Sequence, residues 1–395
     1  MQNRFLYVVI LGMIFMLAPF AIDLYLPGLP TIADKLHTGI DEIEATIAVF
    51  LFGFAAGQLI LGPLSDTVGR RNILIGGVAL FTFASLMAGT AQSVEQLYAW
   101  RFVQALGGAG SVAVFPLVQD RFSETESAKI ISYLMAMIVL APLIAPIIGG
   151  YVLIFAGWRA TFVTMAVLGA FSFMATTVFV RDSEQQQRRP FSLSSVLQGY
   201  GVVLSNRRIV LAILSSGLAF AGLFAFIAGS PFVYITFFGV PAEYYGYLVA
   251  LNTTAMIAAN LINAQLLATI EPSLKVLVGA IGFLLSGLSI LVIAGFNLGL
   301  VPMVVSVIFF FSAMGIVETN AVITAFATLP EENGSVAALN GAFQFGIGAI
   351  SSLIVSVIAS TDAMSMAIVM AGSSVTVLFS AVLLWLSTPA RMKTQ

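Results

Sequence analysis

Three charged side chains, Asp23, Arg101 and Glu318, fall within long stretches that are otherwise apolar. Charge in such a setting is expensive and marks a functional position. A carboxylate starved of water tends toward its neutral form, and a guanidinium beside it favours the ionised form. An acid and an arginine that meet inside an apolar segment can therefore take up and release a proton near working pH, the chemistry of a proton- or ion-coupled transporter. At about 1.5 Å per helical residue, Asp23 lies about 28 Å from Arg4. Arg101 follows the polar residues near Glu95 by a turn or two, so the two reach similar depth. Gln104, one turn beyond Arg101, can accept from the guanidinium. The competing reading leaves Asp23 in water at the interface, with Arg101 snorkelling to the same surface. Glu318 stands in an almost wholly apolar run from Gly299 to Ala327. It can take a proton, bind a cationic substrate, or serve as a protonated structural acid bonded to Asn320 and other helices.

Such residues need elements that carry them through an apolar medium. Of 395 residues, 59% are hydrophobic and 9% charged, with a mean hydropathy of +1.04, against about 25% charged in soluble domains. A soluble fold is excluded. Stretches of about 20 apolar residues, long enough to cross a bilayer as a helix, recur with short polar breaks. They centre near Met13, Ala55, Leu80, Val112, Leu143, Val167, Gly217, Met256, Leu284, Phe309, Ile347 and Leu378. The expected fold is all-α and integral to the membrane, with twelve transmembrane helices in two six-helix halves. The first segment lacks a basic flank and a small-residue cleavage site, and reads as a retained helix rather than a signal peptide. Cysteine is absent, which removes disulfides and thiolate metal sites.

Orientation follows from the basic residues. With a cytoplasmic N-terminus, Arg4, Arg70, Arg71, Arg121, Lys129, Arg181, Arg188, Arg189, Arg207, Arg208, Lys275, Arg391 and Lys393 fall inside, and Lys35 and Arg159 outside. This asymmetry favours both termini in the cytoplasm, and an odd helix count would destroy it. The net charge of -2 gives no reason to expect nucleic-acid binding. The longest hydrophilic break divides the chain into residues 1–182, a cytoplasmic linker 183–206, and residues 207–395. Transporters built from two such halves place substrate near the midplane and alternate access by rocking.

The sharpest local motif is Gly62-Pro-Leu-Ser-Asp66-Thr-Val-Gly69-Arg70-Arg71, between the second and third helices. Glycine permits a tight turn, and Asp66 can accept from a helix N-terminus or pair with Arg70 or Arg71. Such a contact can act as a cytoplasmic latch; the plainer reading is a solvated turn carrying inside charges. The motif resembles the loop pattern of the major facilitator superfamily. More of the chain is similar to one branch, the bicyclomycin- and chloramphenicol-resistance type of drug:proton antiporter. The similarity runs through Asp23-Leu-Tyr-Leu-Pro27, Gly57-Gln58-Leu-Ile-Leu-Gly62, Arg101-Phe-Val-Gln104-Ala-Leu-Gly107 and Gly157-Trp158-Arg159. It continues in Ala141-Pro142-Leu-Ile-Ala145-Pro146-Ile-Ile-Gly149-Gly150 and Gly334-Ser-Val-Ala-Ala-Leu-Asn-Gly341, dense in the first half and thin in the second.

The resemblance implies proton coupling through Asp23 and Arg101, and a helix-five segment at the interface between halves that limits leak. Helix five also carries close-packing small residues at Ala141, Ala145 and Gly149, with Pro142, Pro146 and Gly150 between them. Three departures stand out. Thr67 replaces the basic residue that commonly follows the loop acid, Gln119-Asp120-Arg121 replaces a basic-acidic pair, and Glu318 is an acid where relatives are uncharged. The latch is therefore expected to draw on Asp120 or Arg121.

Phe is abundant at 32 residues and Met contributes 15; most face lipid or fill helix contacts. Phe50, Gln58, Tyr133, Phe224, Tyr234, Asn252, Asn260 and Gln344 are the candidate substrate contacts, since apolar walls with a few polar anchors suit lipophilic molecules. A facilitator or proton-linked transporter of a metabolite such as a sugar or amino acid would share this architecture. An enzyme is disfavoured: the only histidine, His37, falls in an external loop, and no metal-ligand cluster or acid/base pair is evident. No P-loop appears, so ATP is not required. The expectation is a monomeric inner-membrane exporter of drug-like molecules, driven by protons, surrounded by lipid and needing no cofactor.

Overall fold

The computed structural model describes residues 4–180, 193–266, 269–329, 332–358 and 362–387. Arg181, Arg188, Arg189, Arg391, Lys393 and linker positions 183–192 lie outside the described residues. In chain order the helices are α1 (Arg4–Asp23), α2 (Leu29–Leu36), α3 (Ile40–Val68), α4 (Arg70–Gly89), α5 (Val94–Gly108), α6 (Val114–Arg121), α7 (Glu124–Ala156) and α8 (Trp158–Phe179). They continue as α9 (Leu193–Ser205), α10 (Arg207–Pro231), α11 (Ala242–Leu266), α12 (Pro272–Phe296), α13 (Leu300–Thr328), α14 (Asn333–Ile358) and α15 (Met364–Leu386).

These helices give 12 spans long and apolar enough to cross a membrane, and every expected centre falls inside one of them. Three spans are interrupted rather than straight. A 3-10 turn at Leu26–Gly28 joins α1 to α2, another at Ala109–Ala113 joins α5 to α6, and π-helical Phe232–Phe237 extends α10. The short α9 lies within the segment read from sequence as a linker.

Local chemistry sets the breaks. Gly69 separates α3 from α4 at φ 107°, and Gly157 separates α7 from α8 at φ 78°, conformations that a side chain disfavours. Ser93, Asn206 and Glu271 cap the starts of α5, α10 and α12, each accepting from free backbone N–H groups one turn in. Large apolar side chains such as Phe155 and Phe296, 83% and 76% exposed, point outward. That is the surface a lipid solvent requires.

The chain groups into two compact units, residues 1–192 with 242–246, and residues 193–241 with 247–395. In the first, α4 packs on α5 and α8, α3 on α5, and α1 on α7 and α8. Backbones approach closely where Gly77 and Gly107 face each other, since a Cβ on Gly77 would lie 2.7 Å from the Gly107 carbonyl oxygen. In the second, α10 packs on α13, α14 and α15, and α12 on α13 and α15. Hydroxyl pairs such as Ser215–Ser380 at 2.9 Å join its helices.

Candidate functional site

In the first unit, Arg101 on α5 is completely buried. Its Nη1 donates to the Ala21 carbonyl at 2.9 Å and to Gln104 Oε1 at 2.7 Å. Gln104 Nε2 in turn donates to Ser85 Oγ at 2.7 Å, and Ser85 to the Phe81 carbonyl. Two rings enclose the guanidinium: its Cζ lies 4.3 Å from the Phe50 centroid and 4.9 Å from that of Tyr25. The Tyr25 hydroxyl is fixed by Thr46 Oγ1 at 3.1 Å. Arg101 Nε and Nη2 have no hydrogen-bond partner. A cation so placed gains from the two ring faces but has no ion-pair partner among the described residues.

Asp23 is the last residue of α1, two beyond Ala21, and is 6% exposed. It makes no ion pair with Arg101 in this structure, although Arg101 reaches the carbonyl of Ala21, two residues before it. Gly149 on α7 secures this stretch. A methyl there would overlap the Leu24 carbonyl oxygen and stand 2.9 Å from its carbon, so the segment beside Asp23 lies directly on the α7 backbone. Ala141, Ala145, Pro146 and Gly150 are buried on the same helix, and Pro142 is half-buried. Glu44 on α3 is a buried acid, 6% exposed, that the sequence reading passed over. Its signal is positional: it occupies an apolar register formed by Ile40, Ile47 and Leu51.

Around the Gly69 turn, Arg70 Nε lies 2.8 Å from Asp120 Oδ2. The contact is an ion pair by proximity rather than an aligned hydrogen bond. Arg71 takes a different path, donating through Nε to the Val180 carbonyl and through Nη2 to that of Thr177 at 2.9 Å. It thereby ties the start of α4 to the end of α8. Arg121 stacks over the Tyr7 ring at 4.8 Å. Gly62 lies in α3, where a Cβ would meet Val112 at an ordinary 3.8 Å. The Asp66 side chain lies outside the described residues.

In the second unit, Glu318 on α13 is half-buried and lies beside the side chain of Gln344 on α14. Gln344 Nε2 also donates to Ser216 Oγ on α10 at 2.7 Å. Phe224, one helical face along from Ser216, meets Phe220 at 6.0 Å and Phe345 at 6.1 Å between centroids. The carboxyl group, amide chain and ring cluster thus come together at α10, α13 and α14. Asn320 does not join Glu318; its Nδ2 donates to Asn263 Oδ1 at 3.1 Å and to its own helix. Asn260 accepts from Thr319 at 3.2 Å. Asn252 is fully buried with neither amide atom hydrogen-bonded. Tyr234 is enclosed against Phe226, whereas Tyr133 is 62% exposed and Gln58 half-buried. Among the described residues, no group of three or more His, Asp or Glu side chains could hold a metal.

Twelve apolar spans with their polar chains folded into bundle interiors define a multi-pass membrane transporter. The sequence profile of the Major Facilitator Superfamily matches residues 11–353, and the chain belongs to that family. A bicyclomycin resistance protein homolog of Haemophilus influenzae is 31% identical over 358 residues, covering 90% of this chain and 89% of the relative. The multidrug transporter MdfA of Yersinia pestis is 31% identical over 245 residues, covering 62% of this chain and 60% of that protein. A crystal structure of the nucleoside transporter NupG superposes with a TM-score of 0.76 at 13% identity, covering 96% of this chain and 98% of that one. This last likeness shows the fold alone. The family consists of transporters, which sets an enzymatic reading aside.

Proposed function

We propose that this chain is a proton-coupled antiporter that exports hydrophobic or amphipathic small molecules across the bacterial inner membrane by alternating access. It acts as a monomer with both termini in the cytoplasm and draws on no ATP. The observation that carries the reading is Arg101, a wholly buried cation with two unfilled donors, near an acid with which it is not paired. Ionised Asp23 closes on those donors, and protonation releases it; the α1 acid and the α5 arginine thereby read the proton state of the site. Substrate loads from the cytoplasm or inner leaflet, the halves rock, and substrate leaves outside before protonation biases the return.

Similarity to a bicyclomycin resistance homolog and to MdfA supports a drug-like substrate. Glu318 is a second acid available for a proton or a cationic substrate, with Gln344, Phe224, Asn252 and Asn260 as candidate substrate contacts. The Arg70–Asp120 pair and the Gly69 turn supply the cytoplasmic latch, and the α7 face from Ala141 to Gly150 limits leak.

The test is proton flux in sealed vesicles containing purified protein, with lipophilic cations, neutral antibiotics and metabolites added in turn. Substrate-dependent proton movement opposite to substrate, lost in Asp23→Asn, is expected. Transport without proton countermovement would replace the proposal with a facilitator, and full coupling in Asp23→Asn would remove Asp23 from the mechanism. Glu318→Gln is expected to depress transport of cations more than that of neutral compounds.

A further inference from the structure

The second unit holds a recess that none of the transport residues occupies. It runs along the seam between α12 and α13 and encloses about 610 Å³, within the range of roughly 300–1,000 Å³ typical of small-molecule sites. Gly279 and Gly282 hollow one wall, and Leu285 and Phe309, each 63% exposed, form its lips. Four serines line it, and each takes part in a hydrogen bond within the protein. Ser289 and Ser306 bond each other at 2.8 Å, and Ser286 and Ser312 donate to carbonyls of their own helices. To a ligand the walls are apolar.

Lys275 is the exception. It lines the recess, is 8% exposed, and its side chain makes no hydrogen bond or ion pair among the described residues. A lysine at a membrane boundary ordinarily snorkels into water, as exposed Lys35 and Lys129 can. The nearest acid along the helix cannot serve it. Glu271 is engaged by Arg208 Nη2 at 3.2 Å, by the Leu274 N–H at 2.9 Å and by Ser273. A lysine whose stem is buried and whose ammonium opens into an apolar recess offers a site for an anion from outside the chain.

The dimensions say what kind. Lys275 lies in the first turn of the span beginning at Pro272, at one boundary of the apolar zone. From Lys275 to Leu285 the helix rises about 15 Å, half of the roughly 30 Å hydrocarbon core. The recess therefore begins at headgroup level and runs about one leaflet deep. We propose that it binds one anionic phospholipid, with the phosphate on Lys275 Nζ and an acyl chain laid along α12 and α13. A charge-assisted hydrogen bond fixes the headgroup, and the committed serines leave the tail an apolar bed.

Native mass spectrometry on the full-length protein, titrated with phosphatidylglycerol or phosphatidylcholine of identical chains, tests this. The wild type is expected to retain phosphatidylglycerol with about a fivefold preference, the worth of one lysine beside an anionic headgroup. Lys275→Met, which keeps the apolar stem, should erase the preference and raise the melting temperature of lipid-free protein, since it removes an uncompensated cation. Gly282→Leu, which fills the recess and leaves the charge, should lower occupancy by both lipids. An undiminished preference in Lys275→Met would overturn the proposal. So would displacement of phosphatidylglycerol by inorganic phosphate alone, which would mark an anion site with no part for the tail.

Discussion

Gly149→Ala is the sharpest probe of the packing beside Asp23. The added methyl overlaps the Leu24 carbonyl oxygen and falls 2.9 Å from its carbon and 3.1 Å from its Cα. All three atoms are backbone, so no rotamer change relieves the clash. Either α7 shifts or the turn after α1 gives way, by several tenths of an ångström at least. Overpacking of this kind costs about 1–3 kcal/mol. Gly76→Ala on α4 is the control, because a Cβ there meets nothing within 4 Å and alanine favours a helix by roughly 1 kcal/mol. Thermal unfolding in detergent should therefore place Gly149→Ala below wild type and Gly76→Ala at or above it. Because the displaced backbone carries Asp23, the proton-to-substrate ratio in vesicles should also fall for Gly149→Ala. If both variants melt together at the wild-type temperature, the α7 contact with Leu24 is not as close as described and the argument fails.

Other perturbations give separable outcomes. Phe50→Leu removes one ring from the buried guanidinium and should destabilise by about 2 kcal/mol, read as a lowered melting temperature. Asp120→Asn breaks the partly exposed pair with Arg70. At roughly 0.2–1 kcal/mol it should shift the balance of accessible states by no more than about fivefold, measurable by labelling a single introduced thiol. Asn320→Leu should cost about 0.6 kcal/mol, the average for a hydrogen bond between membrane helices. Gln344→Leu cuts the link from Glu318 to Ser216 and should change cation transport as Glu318→Gln does; unchanged cation transport would separate Gln344 from that acid.

The twelve spans were legible because each is predominantly apolar over a bilayer's thickness, and so was the Arg101–Gln104 bond, since residues three apart on a helix are neighbours. Asp120 was legible as the partner of Arg70 only through a motif departure that left the basic residues in search of an acid. What one helix says to another was hidden. The contacts Asn320–Asn263 and Gln344–Ser216 depend on how helices rotate about their own axes, and no spacing within one segment reports that. Asn320 is one of the partners the sequence offers Glu318, yet two positions along a helix the side chains point some 200° apart. Glu44 was masked by Asp41 and Glu42, which made it look like one more acid at a helix start. Helix α9 was hidden by the Gln- and Arg-rich run before it.

The two arginines at the start of α4 differ in what they hold. Arg70 reaches a carboxylate, whereas Arg71 reaches two main-chain carbonyls at the end of α8. Added salt screens a partly exposed charge pair but has little purchase on hydrogen bonds to backbone dipoles. Raising ionic strength should loosen α6 from α4 while α4 and α8 remain moored to each other. The two tethers are a weak link and a strong one set side by side, and the order in which they part decides which helices travel together.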